Sequence, residues 1–338
     1  MEKVLVTGAT GFVALHCVRQ LLDKGYEVRG TVRSQKRTAE VVEAMKKAGA
    51  PADNLEIVEA DLLQDDGWDA AVAGCTYVLH VASPFIVEVP KHEDELIRPA
   101  VEGTERVLQA AIRAGVKKTV VTSSCAAINS THDGKTVRTE KDWTDANHSG
   151  TSAYSKSKTL AERRAWEIAD AQSGENRMQL AVINPAGIIG PMLSEDIGTS
   201  NVFLNQIISG EVPGCPKMHL GFVDVRDVAN AHILAMENDA ANGHRFIINE
   251  REFWFKEVAD LMRENGYSKA PSRVLPNFLV RLLGYVKPEL KQLAVFIGRE
   301  NSNPNDKAKE ILGWKPRNAG ESLLETARQL VEMGQAKV

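Results

Sequence analysis

The stretch that most constrains this chain lies within its first two dozen residues. Lys3-Val4-Leu5-Val6 is a short apolar run, Gly8 and Gly11 break it, and Val13, Cys17, Val18, Leu21 and Leu22 follow at the spacing of an amphipathic helix. The pattern reads as strand, glycine turn, helix. The first amides of a helix lack internal partners and sit at the positive end of its dipole, so they bind phosphate wherever backbone can come close. Gly8 allows the tight turn, and Gly11 removes the Cβ that would hold a pyrophosphate away. Ala14 stands where such turns usually carry a third glycine, and one methyl is tolerable there. The turn is expected to hold a dinucleotide.

The next strand bears on which dinucleotide. Glu27 to Arg33 reads as a strand, and NAD-preferring sites usually carry an acid at its end to hold the ribose 2′-hydroxyl, whereas a 2′-phosphate needs cations. Here Arg33 is followed by Lys36 and Arg37 with no acid among them. NADP(H) is the expected cofactor.

Alternation continues with a strand Leu55 to Val58 leading to Asp61, a strand Tyr77 to Val81 leading to Ala82-Ser83-Pro84, a helix from about His92 to Ala114, and a strand Lys118 to Thr122. Strands apolar on both faces, taking turns with helices, predict an α/β fold with a doubly wound parallel sheet. Ligands then lie at the carboxyl ends of the strands. Asp61 and the Val81-Ala82-Ser83 turn are therefore expected beside the adenosine and bridging phosphates, although Asp61 also reads as a plain strand-end residue. From about Pro185 the alternation fails, Gly221 to Val228 opens another helix, and helices follow near Lys256 to Asn265, Pro276 to Gly284 and Gly320 to Met333. The expected division is a cofactor domain of residues 1–184 plus about 222–250, and a smaller, discontinuous C-terminal lobe of about 185–221 plus 251–338 that forms the substrate pocket.

The chemistry is carried by Ser123-Ser124 after a strand and by Tyr154 and Lys158 at the start of a helix. Residues four apart share a helix face, so Tyr154 and Lys158 point together while Lys156 points elsewhere. A free phenol has a pKa of roughly 10, and a neighbouring ammonium or a positive oxidised nicotinamide favours its ionised form. For carbonyl reduction Tyr154 is the proton donor, Ser124 positions the substrate oxygen, and Lys158 tunes Tyr154 and holds the nicotinamide ribose. Ser123 rivals Ser124 on sequence alone. Ile183 to Pro191, a strand broken at Asn184-Pro185, would lie along the nicotinamide carboxamide or simply link the lobes.

Bulk properties exclude other classes. A net charge of −4 gives no basic footprint for nucleic acid, and the longest apolar stretch, Leu180 to Met192, is broken by Asn184, Pro185 and glycines, so no membrane span is expected. No leader is expected, because residues 3–6 already read as the first strand, and Cys17, Cys75, Cys125 and Cys215 show neither a close pair nor metal spacing. A cytoplasmic protein with reduced thiols and no metal is expected.

Thr7-Gly8-Ala9-Thr10-Gly11-Phe12, Tyr154 with Lys158, Asn184-Pro185 through Gly190-Pro191, Phe222 to Val228, and Lys307-Ala308 with Leu312 to Pro316 resemble the extended short-chain dehydrogenase/reductases, a Rossmann family. Thr31-Val32-Arg33 and His80 to Phe85 are similar to its dihydroflavonol 4-reductase and ketone (methylglyoxal) reductase branch. The resemblance spans nearly the whole chain. It implies NADP contacts from Gly8, Thr10, Gly11, Phe12, Val13, Arg33, Arg37, Asp61, Leu62, Val81, Ala82, Ser83, Tyr154, Lys158, Pro185, Ile188 and Ser200. It favours Ser124 over Ser123, and it puts Asn129 where dihydroflavonol reductases meet their substrate's hydroxylated ring. Thr151-Ser152-Ala153 lacks the signature of cinnamoyl-CoA reductases, which argues against a CoA thioester.

The resulting expectation is an NADPH-dependent reductase of a small, mostly apolar aldehyde or ketone, reversible as an alcohol dehydrogenase, with Phe85, Ile86, Ile128, Phe203 and Met218 as candidate pocket walls. The alternatives are a nucleotide-sugar epimerase or dehydratase, and a non-catalytic NADP sensor. The partner expected is a small-molecule carbonyl or alcohol, with monomer and homodimer both open.

Overall fold

In the computed structural model, which describes residues 2–83, 92–131, 133–286 and 297–336, β1 (Lys3–Val6) enters α1 (Phe12–Asp23) through the glycine turn. The chain continues through β2 (Glu27–Val32), α2 (Thr38–Lys47), β3 (Leu55–Glu59), α3 (Trp68–Val72), β4 (Tyr77–His80), α4 (Asp94–Arg113), β5 (Lys118–Thr122), α5 (Ala126–Asn129), α6 (Ala153–Asp170) and β6 (Gln179–Pro185). With β9 (His244–Ile248) these strands make a seven-stranded sheet in the order β3-β2-β1-β4-β5-β6-β9, parallel at every pairing.

Successive strand residues face opposite sides, so each strand feeds two cores. Val4 and Val6 of β1 pack with Leu15 and Val18 of α1, Val41 of α2 and Val228 of α8 (Val225–Glu237). Leu5 packs the other way, with Trp68 of α3, Val107 and Leu108 of α4 and Ala165 of α6. Helices therefore cover both faces, the arrangement that buried parallel strands require. The strand order reverses direction between β1 and β4, and a crevice at such a switch point lies outside the carboxyl ends of the strands.

A second sheet is short and mixed: β7 (Gly187–Ile189) runs parallel to β8 (His219–Asp224), and β10 (Arg251–Trp254) antiparallel to it. Around it α7 (Thr199–Ile208), α9 (Phe255–Glu264) and the helix Ala319–Glu332 bury a separate cluster that includes Leu204, Phe255, Met262 and Leu323. Helix α10 (Asn277–Val286) presents Phe278 and Leu282 to solvent. Residue 222, where the sequence reading put a boundary, falls within β8. The helix Asp306–Leu312 and Trp314 pack in the first core beside α8. Among the described residues, no helix is long and apolar enough to cross a membrane.

Candidate active site

Gly8 has φ +66°, and a Cβ there would sit 2.9 Å from the Ala82 Cβ. Gly11 is the N-cap of α1, whose first-turn amides receive no side-chain cap. A Cβ at Gly11 would meet only Gly8 O, at 3.3 Å. Packing against Ala82 explains Gly8, whereas a Cβ at Gly11 would meet one backbone oxygen and no side chain, which suits a ligand that comes up to bare amides at the positive end of a helix. The cradle suits a dinucleotide pyrophosphate.

Thr7 braces this turn. Its Oγ1 accepts from Ala82 N at 2.9 Å and lies 3.0 Å from His80 Nδ1, while Thr104 Oγ1 gives its own proton to Ala100 O at 2.8 Å and so can only accept from the imidazole. This partnering suits the tautomer with its proton on Nε2, 3.5 Å from Thr104 Oγ1, and Nδ1 accepting from Thr7. Burial, with Lys158 nearby, pushes His80 down to about 3, so it stays neutral. The glycine turn and the end of β4 are thereby locked together.

Arg33 is exposed at the end of β2, while Arg37 is held by Glu40 at 2.7 Å. Asp61 and Leu62 follow β3: Asp61 Oδ1 accepts from Leu63 N at 3.1 Å, and Leu62 packs against Gly103. Val81, Ala82 and Ser83 are half-buried beyond β4. On the far side Pro185 ends β6 and accepts from Cys125 N at 2.9 Å, Ile188 lies in β7, and Ser200 sits in the first turn of α7. Gly198, just before α7, lies against the Phe12 ring, with a built Cβ only 2.7 Å away. The break after β6 thus carries the chain back over the start of α1.

The two serines have separate environments. Ser123 is buried and donates to Glu162 Oε2 at 2.5 Å. Ser124 is half-buried, accepts from Ala126 N at 3.1 Å and is hydrogen-bonded to the Tyr154 side chain. Ser152 caps α6 by accepting from Ser155 N at 3.1 Å, which sets Tyr154 in the first turn. Lys158 Nζ lies 6.0 Å from the Tyr154 ring centre, while Lys156 pairs with Glu93 at 2.6 Å. Burial pushes the Tyr154 phenol up, and the Ser124 hydrogen bond pulls it back. Burial lowers Lys158 to about 8, opposed by Glu162.

The pocket walls divide. Ile128 is wholly buried with Cys125 and Ile247 and serves the core, not a pocket surface, and Met218 is likewise buried in the second core. Apolar side chains at strand ends look alike in sequence whether they face a cleft or a core. Phe203 is half-buried, edge-on to Phe255 at 5.4 Å. Asn129 Nδ2 donates to Asn303 Oδ1 at 3.0 Å. Phe85 and Ile86 lie outside the described residues. Sequence reasoning missed Glu162, whose one signal is its place four residues after Lys158.

Residues 4–249 match the pattern of the NAD dependent epimerase/dehydratase family. The chain belongs to that family. Within it, the chain falls among the extended short-chain dehydrogenase/reductases that its motifs resemble. This family member is 39% identical over 269 residues to the cinnamoyl-CoA reductase CAD2 of Medicago truncatula, covering 77% of this chain and 80% of that one. It is 34% identical over 278 residues to the tetraketide alpha-pyrone reductase 2 of Arabidopsis thaliana, covering 80% and 84%. Among solved structures, the yeast methylglyoxal/isovaleraldehyde reductase Gre2 complexed with NADPH aligns at a TM-score of 0.82 and 29% identity, over 98% of this chain and 99% of that one.

Proposed function

We propose that this epimerase/dehydratase family member is an NADPH-dependent reductase of aldehyde and ketone carbonyls, able to run in reverse as an alcohol dehydrogenase. The observation that carries the reading is the Ser124 to Tyr154 hydrogen bond, with Lys158 on the same face of α6. The printed names of CAD2, the pyrone reductase and the NADPH-complexed Gre2 support it. Gly8 to Val13 would hold the pyrophosphate, Arg33 and Arg37 the 2′-phosphate, and Asp61, Leu62, Val81 to Ser83, Pro185, Ile188 and Ser200 the remainder.

NADPH, when bound, supplies the hydride that goes to the carbonyl carbon. Tyr154 gives its proton to the carbonyl oxygen, completing the alcohol. Ser124 has one hydroxyl proton: it is donated to the carbonyl oxygen as charge develops there and turns to the phenolate once Tyr154 has given up its proton. The Lys158 ammonium keeps the site positive while the charge develops. Burial, which holds Tyr154 protonated, suits a donor in the reducing direction.

The test is loss of NADPH, and separately NADH, absorbance over methylglyoxal, aromatic ketones, a dihydroflavonol and cinnamoyl-CoA. Tyr154→Phe should lower turnover at least about a hundredfold with NADPH affinity nearly unchanged, and Arg33→Ala should shrink the preference for NADPH over NADH. Undiminished turnover in Tyr154→Phe would overturn the mechanism. NADPH binding without turnover on any carbonyl would move the reading to a sugar-nucleotide enzyme or a sensor. Cinnamoyl-CoA as the best substrate would overturn the argument from Thr151-Ser152-Ala153.

A further inference from the structure

Glu162 follows Lys158 by four residues and Tyr154 by eight, so the three share one face of α6. Its side chain is wholly buried, where a carboxylate persists only when paired and hydrogen-bonded. Its Oε2 accepts from Ser123 Oγ at 2.5 Å, Asn184 Nδ2 at 2.8 Å and Arg245 Nη2 at 3.1 Å. Its Oε1 accepts from Arg245 Nε at 2.5 Å and Trp166 Nε1 at 3.4 Å. Asn184 also donates to Ser124 O at 3.2 Å. Arg245 is fixed in turn, stacked 3.6 Å from the Trp143 ring centre and donating to Asp142 O at 2.8 Å. One carboxylate thus joins α6 to the end of β5, to β6 and to β9.

We propose that Glu162, held by Arg245, is a positioning residue for the reduction: its carboxylate fastens the face carrying Tyr154 and Lys158 to the strands carrying Ser124, and supplies the negative charge that Lys158 faces. The proposal rests on the carbonyl-reductase reading above. Lys158 and Glu162 both line a cavity of about 10 Å³, with His80, Thr104 and Ser123 among its other walls. Among the described residues, the titratable groups facing Lys158 are Tyr154 and Glu162 on α6 and neutral His80 at the end of β4, while α4 and β5 present the hydroxyls of Thr104 and Ser123. Burial works against the Lys158 ammonium and Glu162 works for it. Without the carboxylate, Lys158 loses its proton at lower pH.

The variants are Glu162→Gln, the double Glu162→Gln with Arg245→Met, and Tyr154→Phe as reference. The double variant removes the Arg245 guanidinium together with the carboxylate that held it, so it leaves no Arg245 charge stranded and carries the measurement if the single one fails to fold. Two readouts are taken from pH 6 to 9: kcat/KM on the best carbonyl, and the NADPH dissociation constant by nucleotide fluorescence, which needs no turnover. Both Glu162 variants should move the alkaline limb of kcat/KM down by about one pH unit and begin losing NADPH affinity at correspondingly lower pH. An alkaline limb unmoved in the double variant, with NADPH binding as in the unmodified enzyme, would overturn the proposal and leave Glu162 a packing residue. Turnover retained by Tyr154→Phe would instead overturn the carbonyl-reductase mechanism, and the NADPH titration would still decide whether Glu162 sets the charge of Lys158.

Discussion

Two glycines three positions apart answer to different forces. Gly8 is required by the protein itself, because its φ of +66° and the 2.9 Å approach of Ala82 both exclude a side chain. A methyl at Gly11 meets no side chain, only Gly8 O in a tight 3.3 Å contact, and its φ of −78° suits any residue, so the fold needs glycine less there than at Gly8. Gly8→Ala should therefore cost roughly 2 kcal/mol or more in stability, from left-handed strain plus overpacking. Gly11→Ala should cost under about 1 kcal/mol, the modest loss of exchanging one N-cap residue for another, yet weaken NADPH binding about tenfold or more by standing between ligand and amides. Urea unfolding and an NADPH titration on both variants separate the effects. Equal losses of affinity at equal stability would mean that Gly11 has no privileged contact with the ligand.

At the level of elements, the junction of β8 and α8 ties the small sheet to the helical layer. Asp224 caps α8 by accepting from Arg226 N at 2.8 Å, holds the Arg226 side chain at 2.9 and 2.7 Å, and accepts from Ser322 Oγ of the helix Ala319–Glu332 at 2.7 Å. Burial pushes its pKa up, but the hydrogen bonds from Arg226 and Ser322 outweigh it and hold the carboxyl below its usual range. Asp224→Ala should cost about 2 kcal/mol, since it removes a cap and a buried charge-assisted pair together and leaves Arg226 to Glu325 alone. Ser322→Ala removes one hydrogen bond and should cost about 1 kcal/mol. A loss below about 1 kcal/mol for Asp224→Ala in urea unfolding would mean that the junction is held by packing alone. This junction also marks where sequence legibility stops. The turn from β1 into α1 and the alternation as far as β5 were readable because their signals are local: apolar period, glycine position, strand end. Strand β8 was not foreseen, since its partners β7 and β10 are three and four residues long and pair with it across more than twenty positions of chain. Within the site, Tyr154 and Lys158 were legible from their spacing. Glu162 was not, because Arg245, which makes a buried carboxylate tenable, stands 83 residues away.

Across the whole molecule, three buried histidines join layers as neutral hydrogen-bonding groups. His16 on α1 reaches Pro191 O at 2.8 Å, His80 joins β4 to the glycine turn, and His232 on α8 bonds Val228 O at 2.7 Å and Thr122 of β5 at 2.6 Å. Burial lowers them to about 4, 3 and 4 from an ordinary 6.5. The native state therefore refuses protons that the unfolded chain accepts as pH falls below 6.5, and stability that is fully present above that value drains away on the acid side, down to about pH 4 for His16 and His232 and about pH 3 for His80. Each histidine contributes a loss of about 2 kcal/mol by pH 5. Three together remove about 6 kcal/mol, comparable to the whole stability of an ordinary domain, roughly 5–15 kcal/mol. The protein should thus unfold in mild acid before most carboxylates titrate. Urea midpoints at pH 7.0, 6.0 and 5.0 should fall steeply, and His232→Gln, weaker at pH 7, should show about one third less of that fall. A midpoint unchanged from pH 7 to pH 5 would mean that the native state admits the protons, and that the layers are not joined through neutral imidazoles.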